Sequence, residues 1–252
     1  MAGLESLAGA VARGETVSGQ QFADFDWRDL PAGAVRLNQC SFVDVNFRQA
    51  ELGGAVFEHC SFEGASFADA QLGEARFSQC SFFAPGRRLG TEFSGADLSN
   101  ATFEQCNLST ARLTATALFG VAFKGCKLAG ADLSDADATR KSGRQVQSGA
   151  GFADCLLDMA QFTGARLDGA IFARASLKQA DFAKASLRNA DFSDADLSGA
   201  TFIAATLDEA DLQGARLGGL DITKLRSFAG LKVSRSQLAS LVAPLGLRVF
   251  PG

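Results

Sequence analysis

The chain has 252 residues, of which 47% are hydrophobic, and it carries 28 acidic and 24 basic side chains. The hydrophobic share and the presence of only four prolines exclude a disordered chain, and a net charge of −4 is too mild for a protein that binds nucleic acid directly. No apolar run approaches the roughly 18 residues that a membrane-spanning helix requires, so no membrane association is expected.

Residues 1–34 are predicted to form an N-terminal cap. An amphipathic pattern at residues 4–13 predicts a short helix that closes the first turn of the domain behind it. Glu5 stands where a secretory signal peptide would be basic, so we expect a cytoplasmic protein. Pro31 interrupts the pattern that follows, which predicts an irregular first turn.

A five-residue period fills the chain from residue 35 to residue 222. In each unit a large Phe or Leu, here called the centre, follows a small residue by two positions, as Phe192 follows Ala190 and Leu197 follows Ala195. This period fits neither an α-helix nor a β-strand. It fits a coil with four short sides, each with one large and one small inward residue, whose stacked turns pair like parallel strands about 4.8 Å apart.

The six cysteines indicate how the coils stack. Each lies two residues before a centre, and the separations are 20 residues except for 26 between Cys80 and Cys106 and 29 between Cys126 and Cys155. The spacing predicts one column of cysteines, broken by insertions of six and nine residues. Since there is one histidine and no CxxC motif, we interpret the thiols as small buried apolar groups and predict neither a metal site nor disulfides.

The two insertions lie at about residues 83–90 and 139–148. Both contain glycine and polar residues, as loops do, and both are basic. A solenoid needs no such loops, and loops on a rigid scaffold often carry recognition. The sequence therefore favours partner binding over the alternative of two merely solvated loops. The candidate binding residues are Arg87, Arg88, Arg140, Lys141 and Arg144.

The repeat stops at Ile222, and residues 223–252 are predicted to form a C-terminal cap. Ser234 and Ser236 can cap a helix at about residues 237–243. This segment is too small to be a domain, so it must pack on the last coil or on a second subunit. Its apolar stripe consists of Leu238, Leu241, Val242 and Leu245.

The repeat resembles the pentapeptide-repeat family, whose consensus is A(D/N)Lxx, over roughly residues 20–222. The resemblance implies an all-β fold, a right-handed quadrilateral β-helix, with the two loop insertions and the C-terminal helix added to it. The sequence predicts no cofactor and no bound metal.

Within that family the chain resembles the Qnr-type branch, which protects DNA gyrase from quinolones. The resemblance rests on the stretch from Cys80 to Leu133, which includes FSGADLSNATFEQCNLSTARL, on the two loops and on the tail QLASLVAPLGLRV. It implies a homodimer through the C-terminal stripe, with Leu238, Leu241, Val242 and Leu245 in the interface, and loops that contact the topoisomerase. The N-terminal region is longer than in that branch by roughly two coils.

The sequence offers no support for an enzyme. It has one histidine, His59, at an outward position, and it lacks a nucleophile elbow and a phosphate-binding glycine loop. Two functions remain open: protection of a type II topoisomerase by an acidic rod that imitates duplex DNA and docks through its loops, and a generic interaction scaffold of the effector or secretion-associated kind. Because duplex mimicry requires a strongly acidic surface, the modest charge favours docking through the loops.

Overall fold

A computed structural model of the chain describes residues 2–30, 35–86, 90–142 and 145–247. Over these residues the chain forms the expected four-sided β-helix, with helix α1 (Ala2–Arg13) at its N-terminal end and helix α2 (Arg235–Val242) at its C-terminal end. Single 3-10 turns occur at Trp27–Asp29, Ile222–Lys224 and Ala243–Leu245. Within the described part of the chain, neither α1 nor α2 meets the length and hydrophobicity that a membrane span requires.

Short parallel strands line two sides of the first coils. The strands are β1 Thr16–Ser18, β2 Gln21–Ala23, β3 Arg36–Asn38, β4 Ser41–Val43, β5 Val56–Glu58, β6 Ser61–Glu63, β7 Arg76–Ser78, β8 Thr102–Glu104, β9 Ala122–Lys124, β10 Thr139–Ser142 and β11 Gln145–Ser148. One sheet has the order β1-β3-β5-β7-β8-β9 and a second has the order β2-β4-β6, while β10 and β11 form an antiparallel hairpin.

Beyond these strands the pairing continues as single parallel bridges between successive coils. On one side the series runs from Gly151 through Ile171, Asp191 and Asp211 to Lys232. The coil geometry therefore extends past Ile222, where the sequence repeat stops, and the last paired residues belong to the C-terminal segment.

Hydrogen bonds at the corners explain the composition of the repeat. The residue two after a centre adopts a left-handed conformation, as in Asp194 with φ 57° and Gly199 with φ 75°. An aspartate just before a centre accepts the backbone N–H two residues further on, as Asp97 does from Ser99 at 2.9 Å and Asp191 from Ser193 at 2.8 Å. Aspartate recurs before the centre because its carboxylate holds the turn.

The centres form stacked columns inside the coil. The ring of Phe123 lies 4.9 Å from that of Phe103 and 5.2 Å from that of Phe152, and all three side chains are almost fully buried. Phe77 pairs in register with Phe103, and Ala122 with Gly151, so the coils are offset by 26 and 29 residues at these points. This register confirms the insertions of six and nine residues.

The cysteines lie in one buried column, and all six are free thiols. Their Sγ atoms donate to carbonyls of the preceding coil, as from Cys126 to Phe103 at 3.3 Å. Burial raises the pKa of Cys155 to about 11, which keeps this thiol neutral. Among the described residues, no group of three or more His, Cys, Asp or Glu side chains is arranged to hold a metal ion.

Both ends of the coil are covered by helices. Leu7 and Val11 of α1 are buried in the same core as the first centres. At the other end Leu241 of α2 joins the core, and the side chain of Gln237 donates to the carbonyls of Leu212 and Ala215, both at 2.7 Å. The C-terminal helix therefore packs on the last coil of its own chain.

Candidate protein-binding surface

The four sides of the coil, called faces A, B, C and D, follow one another in chain order. Successive centres of one coil lie on different faces, and the same face returns one coil later. Around the insertions, face A holds Phe77, Phe103 and Phe123, face B holds Phe82, Leu108 and Leu128, face C holds Phe93, Leu113 and Leu133, and face D holds Leu98, Leu118 and Ala138.

The first insertion leaves the coil at the corner between faces B and C. Thr91 closes its base, because its backbone N–H donates to the carbonyl of Phe82 at 3.0 Å and its hydroxyl lies within hydrogen-bonding distance of the carbonyls of Phe82 and Phe62, at 2.9 and 3.1 Å. Gly90 lies so close to the next coil that an added Cβ would be 2.6 Å from the backbone nitrogen of Ala111. The base of this insertion is therefore fixed to the core.

The predicted binding residues Arg87 and Arg88 belong to this first insertion. They lie outside the residues that the structure describes, as does Arg144 of the second insertion. Their part in binding remains a prediction from the sequence.

The second insertion leaves the coil at the corner between faces D and A, and it is a β-hairpin. Thr139 pairs with Ser148, and Ser142 pairs with Gln145, which leaves two residues to connect the strands. The backbone N–H of Gly149 donates to the carbonyl of Ala138 at 3.1 Å and closes the base. The sequence predicted a loop at these residues without this strand pairing, although a Ser-Gly dipeptide marks a turn.

Two predicted binding residues, Arg140 and Lys141, lie exposed on the first strand of this hairpin. The guanidinium carbon of Arg140 lies 5.6 Å from the ring centroid of Phe119 on face D, which is a cation–π contact. This contact directs the side chain along face D, where Glu74 and Asp97 line the same shallow groove.

Two phenylalanines outside the core lie beside the insertions, and neither is among the binding residues predicted from the sequence. Phe83 follows the centre Phe82 at the base of the first insertion, and Phe119 follows the centre Leu118 beneath Arg140. Both are half-buried. In the sequence, each of the two is recognisable as a phenylalanine that directly follows a centre. This position of the five-residue unit points outward.

Ion pairs between coils divide the acidic surface of the C-terminal coils. Arg174 lies 2.7 Å from Asp154, Arg216 lies 3.4 Å from Asp196, and Arg188 lies between two aspartates of the neighbouring coils. Each exposed pair stabilises the fold little. Together they intersperse cations among the carboxylates, so these coils do not present an uninterrupted acidic surface.

The C-terminal end carries exposed apolar side chains. Leu238 and Leu245, two of the predicted dimer residues, are 38% and 50% exposed, and Val242 is half-buried. Phe228 is also exposed, at 43%. Leu241, the fourth predicted dimer residue, is only 4% exposed and belongs to the core of its own chain. Leu241 therefore attaches α2 to the last coil.

The sequence matches the family model for pentapeptide repeats, in eight copies. The matched residues are 40–79, 91–118, 117–140, 148–183, 160–199 and 185–221.

Solved structures of QnrB1, a plasmid-mediated fluoroquinolone resistance protein, are similar in fold. A trypsin-treated form has 25% sequence identity and a TM-score of 0.75, with 86% of this chain and 100% of that chain covered. Full-length QnrB1 has 23% identity and a TM-score of 0.75, with 92% and 100% covered. No curated protein matches the chain.

Proposed function

The chain belongs to the pentapeptide-repeat family, and on that basis we propose that it is a non-enzymatic binding protein that protects DNA gyrase, or another type II topoisomerase, from quinolone-type poisons. The observation that carries the proposal is the likeness of 86% of the chain to QnrB1, a fluoroquinolone resistance protein, at a TM-score of 0.75 and 25% identity. Two basic insertions on a rigid coil supply the surface for recognition.

Recognition proceeds through the insertions and the adjoining aromatic groups. Arg140 and Lys141 are exposed cations on a hairpin whose base is bonded to the core, so little conformational freedom is lost when a partner binds. Arginine packed on an aromatic ring is a frequent centre of binding energy in protein interfaces. Carboxylates of the partner are the complementary groups for these cations.

The arrangement of charge favours this mode over imitation of duplex DNA. Several carboxylates of the C-terminal coils hold turns or pair with cations of neighbouring coils, as Asp196 does with Arg216. A surface that competes for a DNA-binding site needs uninterrupted negative charge, because affinity there depends on phosphate-like charge density.

The exposed apolar groups at the C-terminal end support assembly as a two-fold symmetric dimer. Leu238 and Leu245 lie exposed there, with Val242 half-buried, and we place these three in the interface. A two-fold axis brings the same patch of both subunits together, which covers the leucines without a second complementary surface.

The proposal is tested by the amount of quinolone-trapped, cleaved plasmid that gyrase forms as the protein is added. We expect the wild-type chain to lower this amount and a variant with Arg87, Arg88, Arg140, Lys141 and Arg144 changed to Ala to lose most of the effect. The control neutralises exposed acids of the coil, Glu51→Gln, Glu58→Gln and Glu209→Gln, and should protect like wild type.

Loss of protection in the glutamate variant, with the loop variant intact, would instead identify duplex mimicry as the mechanism. No effect of the wild-type chain on gyrase at any concentration would refute the proposed function and leave a generic scaffold. The aspartates before the centres are unsuitable as controls, because Asp181 and Asp191 accept backbone hydrogen bonds that hold their turns.

A further inference from the structure

A small apolar patch lies exposed on face B of the C-terminal coils. Leu156 belongs to this face because it pairs with Lys127, which directly precedes the face B centre Leu128, and with Ser176 of the coil after it. Leu156 is 48% exposed, and Met159, three residues further along the same coil, is 53% exposed. Leu156 and Met159 are called the face B patch.

The coil itself does not require apolar side chains at these two positions. Met159 occupies a corner with a left-handed backbone, φ 61°, and Gln179 holds the same corner of the next coil with φ 58°. The bridged column of outward residues that contains Leu156 is otherwise polar, and its other members are Ser61, Ser81, Asn107, Lys127, Ser176, Asp196 and Arg216. The fold therefore accepts polar residues at both places, and the patch calls for a reason outside the fold.

Two exposed lysines flank the patch. Lys127 lies one coil before Leu156, and its ammonium forms no ion pair with another of the described residues. Lys178 lies one coil after the patch, and its ammonium is 3.8 Å from the carboxylate of Asp196, a long pair that solvent screens strongly. Both cations are therefore available to a partner.

Asp158 lies between Leu156 and Met159 in the chain, but its carboxylate is directed at the next coil. It is half-buried, and its Oδ1 accepts the hydroxyl of Ser176 at 2.5 Å and the backbone N–H of Lys178 at 3.1 Å. These bonds leave apolar and cationic groups as the outermost groups of this part of face B.

We infer that the face B patch binds an extended, acidic segment of a partner protein. An apolar side chain of the segment lies between Leu156 and Met159, and its carboxylates pair with Lys127 and Lys178. Methionine is enriched and charge is depleted at the centre of protein interfaces, and complementary charges around that centre set the orientation of the partner.

The spacing of the two lysines defines the segment further. Lys127 and Lys178 are two coils apart along the axis and two residues apart across the face, which places their Cα atoms about 12 Å apart at the usual strand dimensions. An extended chain spans this distance in about three to four residues. The segment therefore carries two acidic residues at that separation, with an apolar residue between them.

A protein segment fits this surface better than nucleic acid does. Residues 151–222 carry eleven acidic and six basic residues, so the coils beyond the patch would repel a phosphate backbone. The inference does not rest on the proposed protection of gyrase, because the face B patch includes no residue of either insertion.

Selection from a random peptide library displayed on phage, with the folded wild-type chain as the immobilised target, tests the inference without gyrase. We expect the enriched peptides to contain two Asp or Glu residues about three or four positions apart, with Leu, Ile, Met or Phe between them. The most enriched peptide is then synthesised, and its Kd is measured by fluorescence anisotropy. Thermal unfolding followed by circular dichroism checks that each variant below is folded.

Removal of the apolar contacts should weaken binding of this peptide at least about tenfold. The variant is Leu156→Ser/Met159→Gln, which introduces residue types that the next coil already has at the same positions. The matched control is Ile171→Ser/Ile203→Ser, which removes two side chains of similar exposure, 46% and 55%, from faces A and C. The control should bind the peptide like the wild-type chain.

Reversal of the two cations, Lys127→Glu/Lys178→Glu, should also weaken binding at least about tenfold, and added salt should weaken binding to the wild-type chain. An unchanged Kd in either patch variant, or an equal loss in the isoleucine control, would overturn the inference. Enriched peptides without the acidic and apolar pattern, or no enrichment above an unrelated immobilised protein, would overturn it as well.

Two further results would assign the patch to a different occupant and would also overturn the inference. If Leu156→Ser/Met159→Gln lowers the oligomeric state measured by light scattering, the patch is an interface between copies of the chain. If the wild-type chain binds duplex DNA, and Lys127→Glu/Lys178→Glu abolishes that binding, the patch belongs to a nucleic-acid site.

Discussion

Aspartate and phenylalanine have separate tasks in each five-residue unit. The aspartate before a centre accepts the backbone N–H of the turn, and the phenylalanine at the centre stacks on its equivalents in the neighbouring coils, as Phe123 does on Phe103 and Phe152. Because each centre contacts the coils on both sides, removal of one ring leaves a space that the regular backbone pairing on either side cannot close.

Truncation of one stacked ring should therefore be costly. We expect Phe123→Ala to lower the free energy of unfolding by about 3–5 kcal/mol, measured by denaturant titration. Phe83→Ala is the matched control, since Phe83 is half-buried at an outward position, and it should cost only about 1 kcal/mol. Equal effects of the two substitutions would contradict the assignment of Phe123 to the core.

Substitutions of two leucines in the C-terminal segment should distinguish the attachment of helix α2 to the coil from the formation of the dimer. Leu241→Arg places a charge in the core and should lower the melting temperature, because the guanidinium would be buried without a partner. Leu245→Arg changes a side chain that is 50% exposed, and it should produce monomers with a nearly unchanged melting temperature. Light scattering and thermal melts distinguish these outcomes, and a wild-type monomer at tens of micromolar would refute the dimer.

At the scale of elements, the recurring turn is the unit of stability. Hydrogen bonds from the side chain and then the backbone of Arg28 lower the pKa of Asp26 to about 2. Hydrogen bonds from Ser198 and Thr223 likewise lower the pKa values of Asp196 and Asp221 from their usual range. These carboxylates favour the folded chain only while they are ionised.

This predicts a loss of stability in acid. Since the folded pKa values lie below the value of about 3.9 for an unfolded aspartate, the contribution is fully present above about pH 4 and is lost as the pH falls through about 2. The melting temperature should change little from pH 7 to pH 5 and fall steeply between pH 4 and pH 2. Asp26→Asn should reduce part of that fall, and a melting temperature that is constant down to pH 2 would contradict the role of the turns.

The repeat made most of these elements predictable from the sequence. One inward small residue and one inward centre per side set the register, and the spacing of Cys80, Cys106, Cys126 and Cys155 located both insertions and their lengths. The cation–π contact of Arg140 with Phe119 could not be predicted in this way, because it joins a hairpin to an earlier coil outside the periodic pattern. The burial of Leu241 depends on how the helix meets the last coil, which no repeat specifies.

At the scale of the whole molecule, the coil presents its specific features at places that the pairing of its turns sets. The basic insertions leave opposite corners near the middle of the chain, and the exposed leucines lie at the C-terminal end. A two-fold dimer would therefore carry two copies of each insertion at defined distances from the axis. Such an assembly suits a partner that is itself two-fold symmetric.

The most direct test of gyrase protection is a plasmid supercoiling assay with gyrase and an inhibitory concentration of ciprofloxacin. We expect the wild-type chain to restore supercoiling as its concentration rises, and to leave the drug-free reaction unchanged over the range where rescue occurs. Failure to restore supercoiling, by a preparation that is folded according to its thermal unfolding transition, would contradict protection of gyrase.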